Sequence, residues 1–148
     1  MTSLIDLTPA ECEALLRAGV LGRLVLLGAP DEAEILPVNY TTLDDAVLVR
    51  TAPGSLVDRR APGAALLFEV DHIDHERHHG WSVVARGIGE RVPEEERADV
   101  ESRTPGPPRW LHREEWVWLR LPWDRLSGRR VGHGWDPVAE LPVRRATR

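Results

Sequence analysis

Three stretches of this 148-residue chain gather side chains that could do chemistry, and the first runs Val49-Arg50-Thr51-Ala52-Pro53-Gly54-Ser55. A guanidinium and a hydroxyl close a β-branched run, a Pro-Gly turn follows, and Ser55 opens a short helical stretch toward Arg60. Phosphate binding uses this combination: backbone N–H groups at a helix start, hydroxyl donors and a guanidinium that pairs bidentately. An ordinary turn with Ser55 as N-cap uses the same groups, so the residue types leave both readings standing.

The second stretch holds Asp71, His72, Asp74, His75, Glu76, His78 and His79. Imidazole and carboxylate suit zinc, nickel or iron. The segment reads as a polar loop between strands, however, and ligands confined to a loop have no fixed geometry. No metal ligand is assigned there, and a metal-binding protein working through residues 71–79 is kept as an alternative. The third stretch, Gly87-Ile88-Gly89, lacks the last glycine of a dinucleotide fingerprint, since Val92 stands in its place. It lies inside a strand, where paired glycines mark a bend or the close approach of another backbone. Nucleophilic catalysis finds little support: Ser55 and Ser82 lack a nucleophile-elbow context, and Cys12 falls on a helix as a core residue.

Composition narrows the choice further. All 19 basic residues are arginine. Without lysine the chain cannot form a Walker phosphate loop, a Schiff base or a serine–lysine dyad. A single cysteine excludes an intramolecular disulfide and a multi-cysteine zinc cage. The formal charge is -5, yet the bases crowd toward the C-terminus. Residues 103–148 are basic, and there Arg109, Trp110, Arg113, Trp116, Trp118 and Arg120 interleave cations with aromatics. Glu114 and Glu115 interrupt the run, and with an acidic pI the pattern reads as a strand with a polar outer face, not a nucleic-acid surface. No apolar run approaches the ~20 residues that span a bilayer, and no signal peptide is recognised. The expectation is a cytoplasmic protein without membrane or nucleic-acid partners.

The elements that must position these groups follow from local pattern. Thr8-Pro9-Ala10-Glu11 is a capping box with proline at the first helical position, and Gly19 ends that helix. Strands are expected over 22–27, 35–40, 46–51, 64–70, 81–92 and 115–121, with a last short one near 129–131. A second helix fits 93–101, and Pro105-Gly106-Pro107-Pro108 breaks the chain after it. Over 115–121, Trp116, Trp118 and Arg120 should share one face, with Val117, Leu119 and Leu121 on the other. Closely spaced strands with marginal helices describe a single, mainly β domain over 1–148: an antiparallel barrel of about six to seven strands. Residues 1–9 form a lead and 132–148 an irregular tail.

Taken together, Gly22-Arg23-Leu24, Leu36-Pro37-Val38-Asn39-Tyr40, the 49–55 turn, Phe68-Glu69-Val70-Asp71 and Gly80-Trp81-Ser82-Val83 resemble one known family. It is the pyridoxamine 5'-phosphate oxidase-like family of FMN-binding split β-barrels, and the likeness is to its short, actinobacterial-type members over roughly residues 10–131. The resemblance implies a homodimer with FMN in clefts at the subunit interface, and a small-molecule substrate. It places Leu36, Pro37, Val38 and Asn39 along the flavin ring, and Thr51 and Ser55 near the ribityl-phosphate. Ser82, with Trp81 beside it, falls where relatives often contact the flavin through glutamine, and Arg129 falls where a residue reaches the ring from the other subunit.

Two departures stand out. Relatives commonly carry a basic residue directly after the Ser55 position, where this chain has Leu56 and Val57. Phosphate charge must then be met by Arg50, Arg59 or Arg60, or by backbone alone. The long basic C-terminal motif of true pyridoxamine phosphate oxidases is absent, so oxidation of vitamin B6 is not expected. The resemblance therefore implies an FMN-dependent oxidoreductase acting on an unidentified small molecule. A barrel that has lost tight FMN binding, or that carries deazaflavin or haem, is the alternative.

Overall fold

Thr8 starts the first helix as the sequence requires. In the computed structural model, which describes residues 3–106 and 115–140, its hydroxyl accepts from the Glu11 N–H while the Glu11 carboxylate accepts from the Thr8 N–H. The helix, α1 (Pro9–Ala18), buries Cys12, Leu15 and Leu16. Burial pushes the Cys12 thiol above its ordinary pKa, which suits a core residue and not a nucleophile.

Ten strands follow among the described residues: β1 (Leu4–Asp6), β2 (Leu21–Leu26), β3 (Glu34–Asn39), β4 (Thr41–Leu43), β5 (Ala46–Thr51), β6 (Ala65–Asp74), β7 (His79–Ile88), β8 (Glu90–Arg91), β9 (Val117–Pro122) and β10 (Arg125–Val131). They form two antiparallel sheets, ordered β1-β10-β7-β6-β2-β3 and β4-β5-β9-β8, around a shared apolar core. This is the split-barrel arrangement. Seven strands have six residues or more, and the other three are too short to leave a periodic signal. A short helix α2 (Leu56–Arg60) and α3 (Glu94–Arg103) complete the fold. Pro93 is the N-cap of α3, and three glutamates fill its first turn, where they meet the positive end of the helix dipole.

Three sequence expectations change. The polar loop expected at 71–79 is mostly strand, since β6 and β7 continue their pairing out to Asp74 opposite His79. The turn beyond is closed by Asp74, whose Oδ1 accepts from the Glu76 and Arg77 N–H groups. The strand expected over 81–92 changes sheets at Gly89, with β7 on one side and β8 on the other. Strand β10 begins at Arg125, not Arg129, and pairs with β7 along its whole length. Of the C-terminal tail, Trp135 is docked: it stacks on His79 at 4.4 Å and donates to the Val131 carbonyl. Residues 107–114, including Arg109, Trp110 and Arg113, and residues 141–148 lie outside the described part.

Alternation divides each strand between two environments. The inner face of the larger sheet supplies Leu24, Leu26, Leu66, Phe68, Val70, Trp81, Val83 and Ala85 to the core. Its outer face carries Leu4, Leu21, Ile35, Ile73 and Ile88, each more than half exposed. With Leu27, just past β2, these are all the large apolar side chains exposed among the described residues.

At the centre of that outer face Arg23 reaches Glu69 at 3.1 Å and Asp71 at 3.3 Å. Burial, then a hydrogen bond and repulsion from Asp71, push the Glu69 carboxyl above its ordinary pKa, and Arg23 opposes them. A carboxyl raised on folding binds its proton more tightly in the native state. Its contribution is therefore complete below the unfolded pKa and is lost as pH rises through the folded one. Wild-type stability should thus fall relative to Glu69→Gln as pH rises from about 4, the unfolded value, through the raised folded one. A difference between the two that stays constant in urea titrations across that range would mean Arg23 cancels the burial.

Candidate functional site

The turn after β5 is closed by its own side chains. Thr51 Oγ1 and Ser55 Oγ share a hydrogen bond of 2.6 Å, and Ser55 Oγ also accepts from the Asp58 N–H. Ser55 is the N-cap of α2, as one of the two sequence readings holds. The Asp58 carboxylate folds back over the turn, accepts from the Gly54 N–H at 2.8 Å, and lies 3.7 Å from the Arg91 guanidinium. The side chain of Asp58 is only 9% exposed. A carboxylate thus already takes one of the N–H groups that a phosphate would use.

Of the three candidate arginines, Arg50 and Arg60 are engaged elsewhere. Arg50 leaves β5 on the face opposite to Thr51, because neighbouring residues in a strand alternate. Its guanidinium sits 5.3 Å from the Trp118 ring and 5.9 Å from Trp116, against the cluster that Leu48, Val92, Val100 and Trp118 form beneath α3. Arg60 donates to the carbonyls of Glu32 and Leu27, tying α2 to the β2–β3 loop. Arg59 is exposed, and among the described residues it makes no ion pair. The turn offers neutral hydroxyls that suit a polyol, and the Asp58 carboxylate occupies its Gly54 N–H. Arg50→Ala is accordingly expected to cost about 1–2 kcal/mol of stability through the lost cation–π contacts. Flavin affinity in the same variant should be unaltered, and an equilibrium titration that shows it weakened would return Arg50 to the binding site.

The other sequence-assigned residues lie on the larger sheet. Strand β3 is its free edge, where Pro37 is tolerated because an edge strand can spare one N–H. Pro37 and Asn39 fall on the outer face in register with Arg23 and Leu21, while Leu36 and Val38 pack against the core. The side-chain oxygen of Asn39 is buried without a hydrogen-bond partner, an acceptor open to a ligand N–H. Trp81 is turned inward and buried at 7% exposure, so its ring belongs to the core. Ser82 faces outward and is directly opposite Arg129 across the β7–β10 ladder.

These last two line a cleft of about 550 Å³ with Asp6, Val84, Arg86, Arg125 and Ser127. Sequence reasoning passed over Arg86 and Arg125, though Ser82, Val84 and Arg86 share a strand face by simple alternation. It also passed over Asp58, although Ser55-x-x-Asp58 is a capping pattern. No three metal-ligating side chains converge among the described residues, the histidines of 71–79 included. The extended β6–β7 hairpin sends alternate residues to opposite faces, which separates them.

Residues 8–130 match the family described as pyridoxamine 5'-phosphate oxidase. The uncharacterized protein Rv0080 of Mycobacterium tuberculosis is 34% identical over 97 residues, a match spanning 62% of this chain and 63% of that protein. Among solved structures, the FAD binding protein from Mycobacterium smegmatis is 31% identical and superimposes with a TM-score of 0.72, covering 86% of this chain and 98% of that one. A putative pyridoxamine 5'-phosphate oxidase from Corynebacterium glutamicum is 27% identical, with the same TM-score of 0.72 and the same coverage of 86% and 98%.

Proposed function

Because this chain belongs to the pyridoxamine 5'-phosphate oxidase family, we propose that it is a flavin-binding oxidoreductase of the cytoplasm, working as a homodimer on a small molecule. The observation that carries this reading is the outer face of the larger sheet. It gathers the exposed large apolar side chains and also presents Asn39 at one edge and the Ser82–Arg129 cleft toward the other. A second copy on that face would remove the apolar surface from water and enclose both polar sites between subunits. The M. smegmatis relative, described as FAD binding, supports a flavin as the ligand. FMN is the smaller form expected from the sequence.

A bound flavin supplies hydride or electron transfer itself. The chain's own residues would then bind and orient. Asn39 offers an unpaired acceptor, Ser82 a hydroxyl, Arg129 a cation that stabilises developing negative charge, and Thr51 and Ser55 hydroxyls at the polyol. Leu36, Pro37 and Val38 shape the apolar edge of β3. No general acid or base is required of the protein.

One observation favours a second reading. Asp58 closed over the Gly54 N–H, with Leu56 and Val57 packed on the core, describes a barrel that holds flavin weakly or serves as a non-catalytic carrier. Titration of the purified protein with riboflavin, FMN and FAD, with light scattering for mass, separates the two. Flavin fluorescence quenching at a stoichiometry of one per subunit in a dimer is expected. A monomer that quenches none of the three would sink the leading reading.

A further inference from the structure

Several arginines among the described residues are matched by carboxylates at close range. Arg23 holds Glu69 and Asp71, Arg97 holds Glu101, Arg103 holds Asp44, and Arg120 holds Glu90 and Glu96. The cleft between β7 and β10 gathers cations that are poorly matched. The register sets Arg125 opposite Arg86 and Arg129 opposite Ser82, so three guanidiniums share one outward face. Arg86 donates to the Ser127 hydroxyl at 2.9 Å, and Arg129 comes no nearer to Asp6 than 3.9 Å. Among the described residues Arg86 and Arg125 have no carboxylate partner.

Three cations facing one acid repel one another, and the cost grows when the face is desolvated. An anion that accepts several guanidinium hydrogen bonds removes that cost, and phosphate matches the planar fork of arginine bidentately. Ser82 and Ser127 add hydroxyl donors along the same cleft. Its volume of about 550 Å³ lies in the range of small-molecule sites. The turn at 51–55, the other place a phosphate could go, already holds a carboxylate.

We propose that the β7–β10 cleft holds a phosphate subsite of this protein, taking the mono- or diphosphate of a nucleotide through Arg86 and Arg125, at the end of the cleft away from Ser82 and Arg129. The phosphate is either the flavin cofactor's or a substrate's. The cofactor case rests on the flavin reading above, whereas the anion chemistry does not.

Calorimetric titration of the full chain with inorganic pyrophosphate, ADP, riboflavin and FAD tests it, alongside Arg86→Gln and Arg125→Glu. Wild type should bind pyrophosphate and ADP, more weakly as salt is raised. Each variant should lose about tenfold or more of that affinity while riboflavin binding holds. Arg103→Gln, one charge removed elsewhere, should change none of it. A parallel loss for FAD assigns the phosphate to the cofactor, and FAD binding that survives assigns it to the substrate. Because Arg125 is exposed, its reversal gives a readout even where Arg86→Gln fails to fold. Wild type that ignores both pyrophosphate and ADP overturns the proposal, as does Arg125→Glu with unaltered affinity. ADP binding that depends on arginine, in a protein that takes no flavin, overturns the flavin reading and keeps the cleft.

Discussion

Phe68→Ala is expected to destabilise the protein by about 3–5 kcal/mol, the cost of truncating a fully buried aromatic ring. The ring meets Tyr40 edge-on at 4.7 Å, and Tyr40 in turn donates to the Leu16 carbonyl. Phe68 therefore sits where β6, β2, the β3–β4 corner and α1 meet. Gly22 leaves room for it, since a Cβ there would lie 2.3 Å from the Phe68 Cζ. Rigid neighbours on every side leave the cavity little means of collapsing, which places the cost high in its range. Thermal unfolding should show a fall of about 10 °C or more for a chain of this size. A loss below about 1.5 kcal/mol would mean that Tyr40 swings into the space, and Tyr40→Ala added to Phe68→Ala would then cost little more.

The second large effect belongs to Gly87→Ala. A Cβ at Gly87 would stand 2.0 Å from the carbonyl oxygen of Pro122, which is backbone and cannot rotate away. The contact joins the two sheets, for β7 crosses the end of β9 here and the Asp124 N–H donates to the Arg86 carbonyl. Overpacking against backbone should cost about 3 kcal/mol, the upper end for an added methyl. Gly89→Ala should behave alike, because its Cβ would be 2.3 Å from the Ala61 carbonyl oxygen. Gly87 also follows Arg86, so a displaced strand would move a wall of the arginine cleft. Denaturant midpoints measure the first effect and pyrophosphate affinity the second. Wild-type stability in Gly87→Ala would show that the sheets part freely at this joint.

Local rules made much of this molecule legible before any coordinates. The capping box at Thr8 and Glu11 sets the start of α1 because both partners lie within one turn of each other. Alternation over 117–121 sends Leu119 and Leu121 to the main core and Trp118 to the cluster beneath α3, as the sequence pattern requires. The Gly87–Gly89 pair is indeed a place of close backbone approach. Strands β1, β4 and β8 escaped because two or three residues carry no period; β1 and β8 pair with partners far along the chain, while β4 closes a tight hairpin with β5.

The candidate site was less legible, for a related reason. Arg50 and Thr51 are adjacent in sequence and look like one phosphate-binding unit, but in a strand adjacent side chains leave by opposite faces. Which face meets the core is set by sheet packing, and here the core takes the Thr51 side and leaves Arg50 to two tryptophans. Asp58 was passed over although it stands in a capping pattern, and only the folded turn shows it holding the Gly54 N–H.

By itself, the sequence determined the family, the mainly β class, the first helix and the lack of lysine that leaves guanidinium as the sole strong side-chain cation. Those are properties of single residues and of short-range periodicity. The tertiary structure decided where the guanidiniums go: one stacked on tryptophan, one tied to a loop, and three brought together between β7 and β10, two of them without a matching acid among the described residues. Charge pairing depends on distance through space, and strands far apart in the chain become neighbours only when the sheet forms.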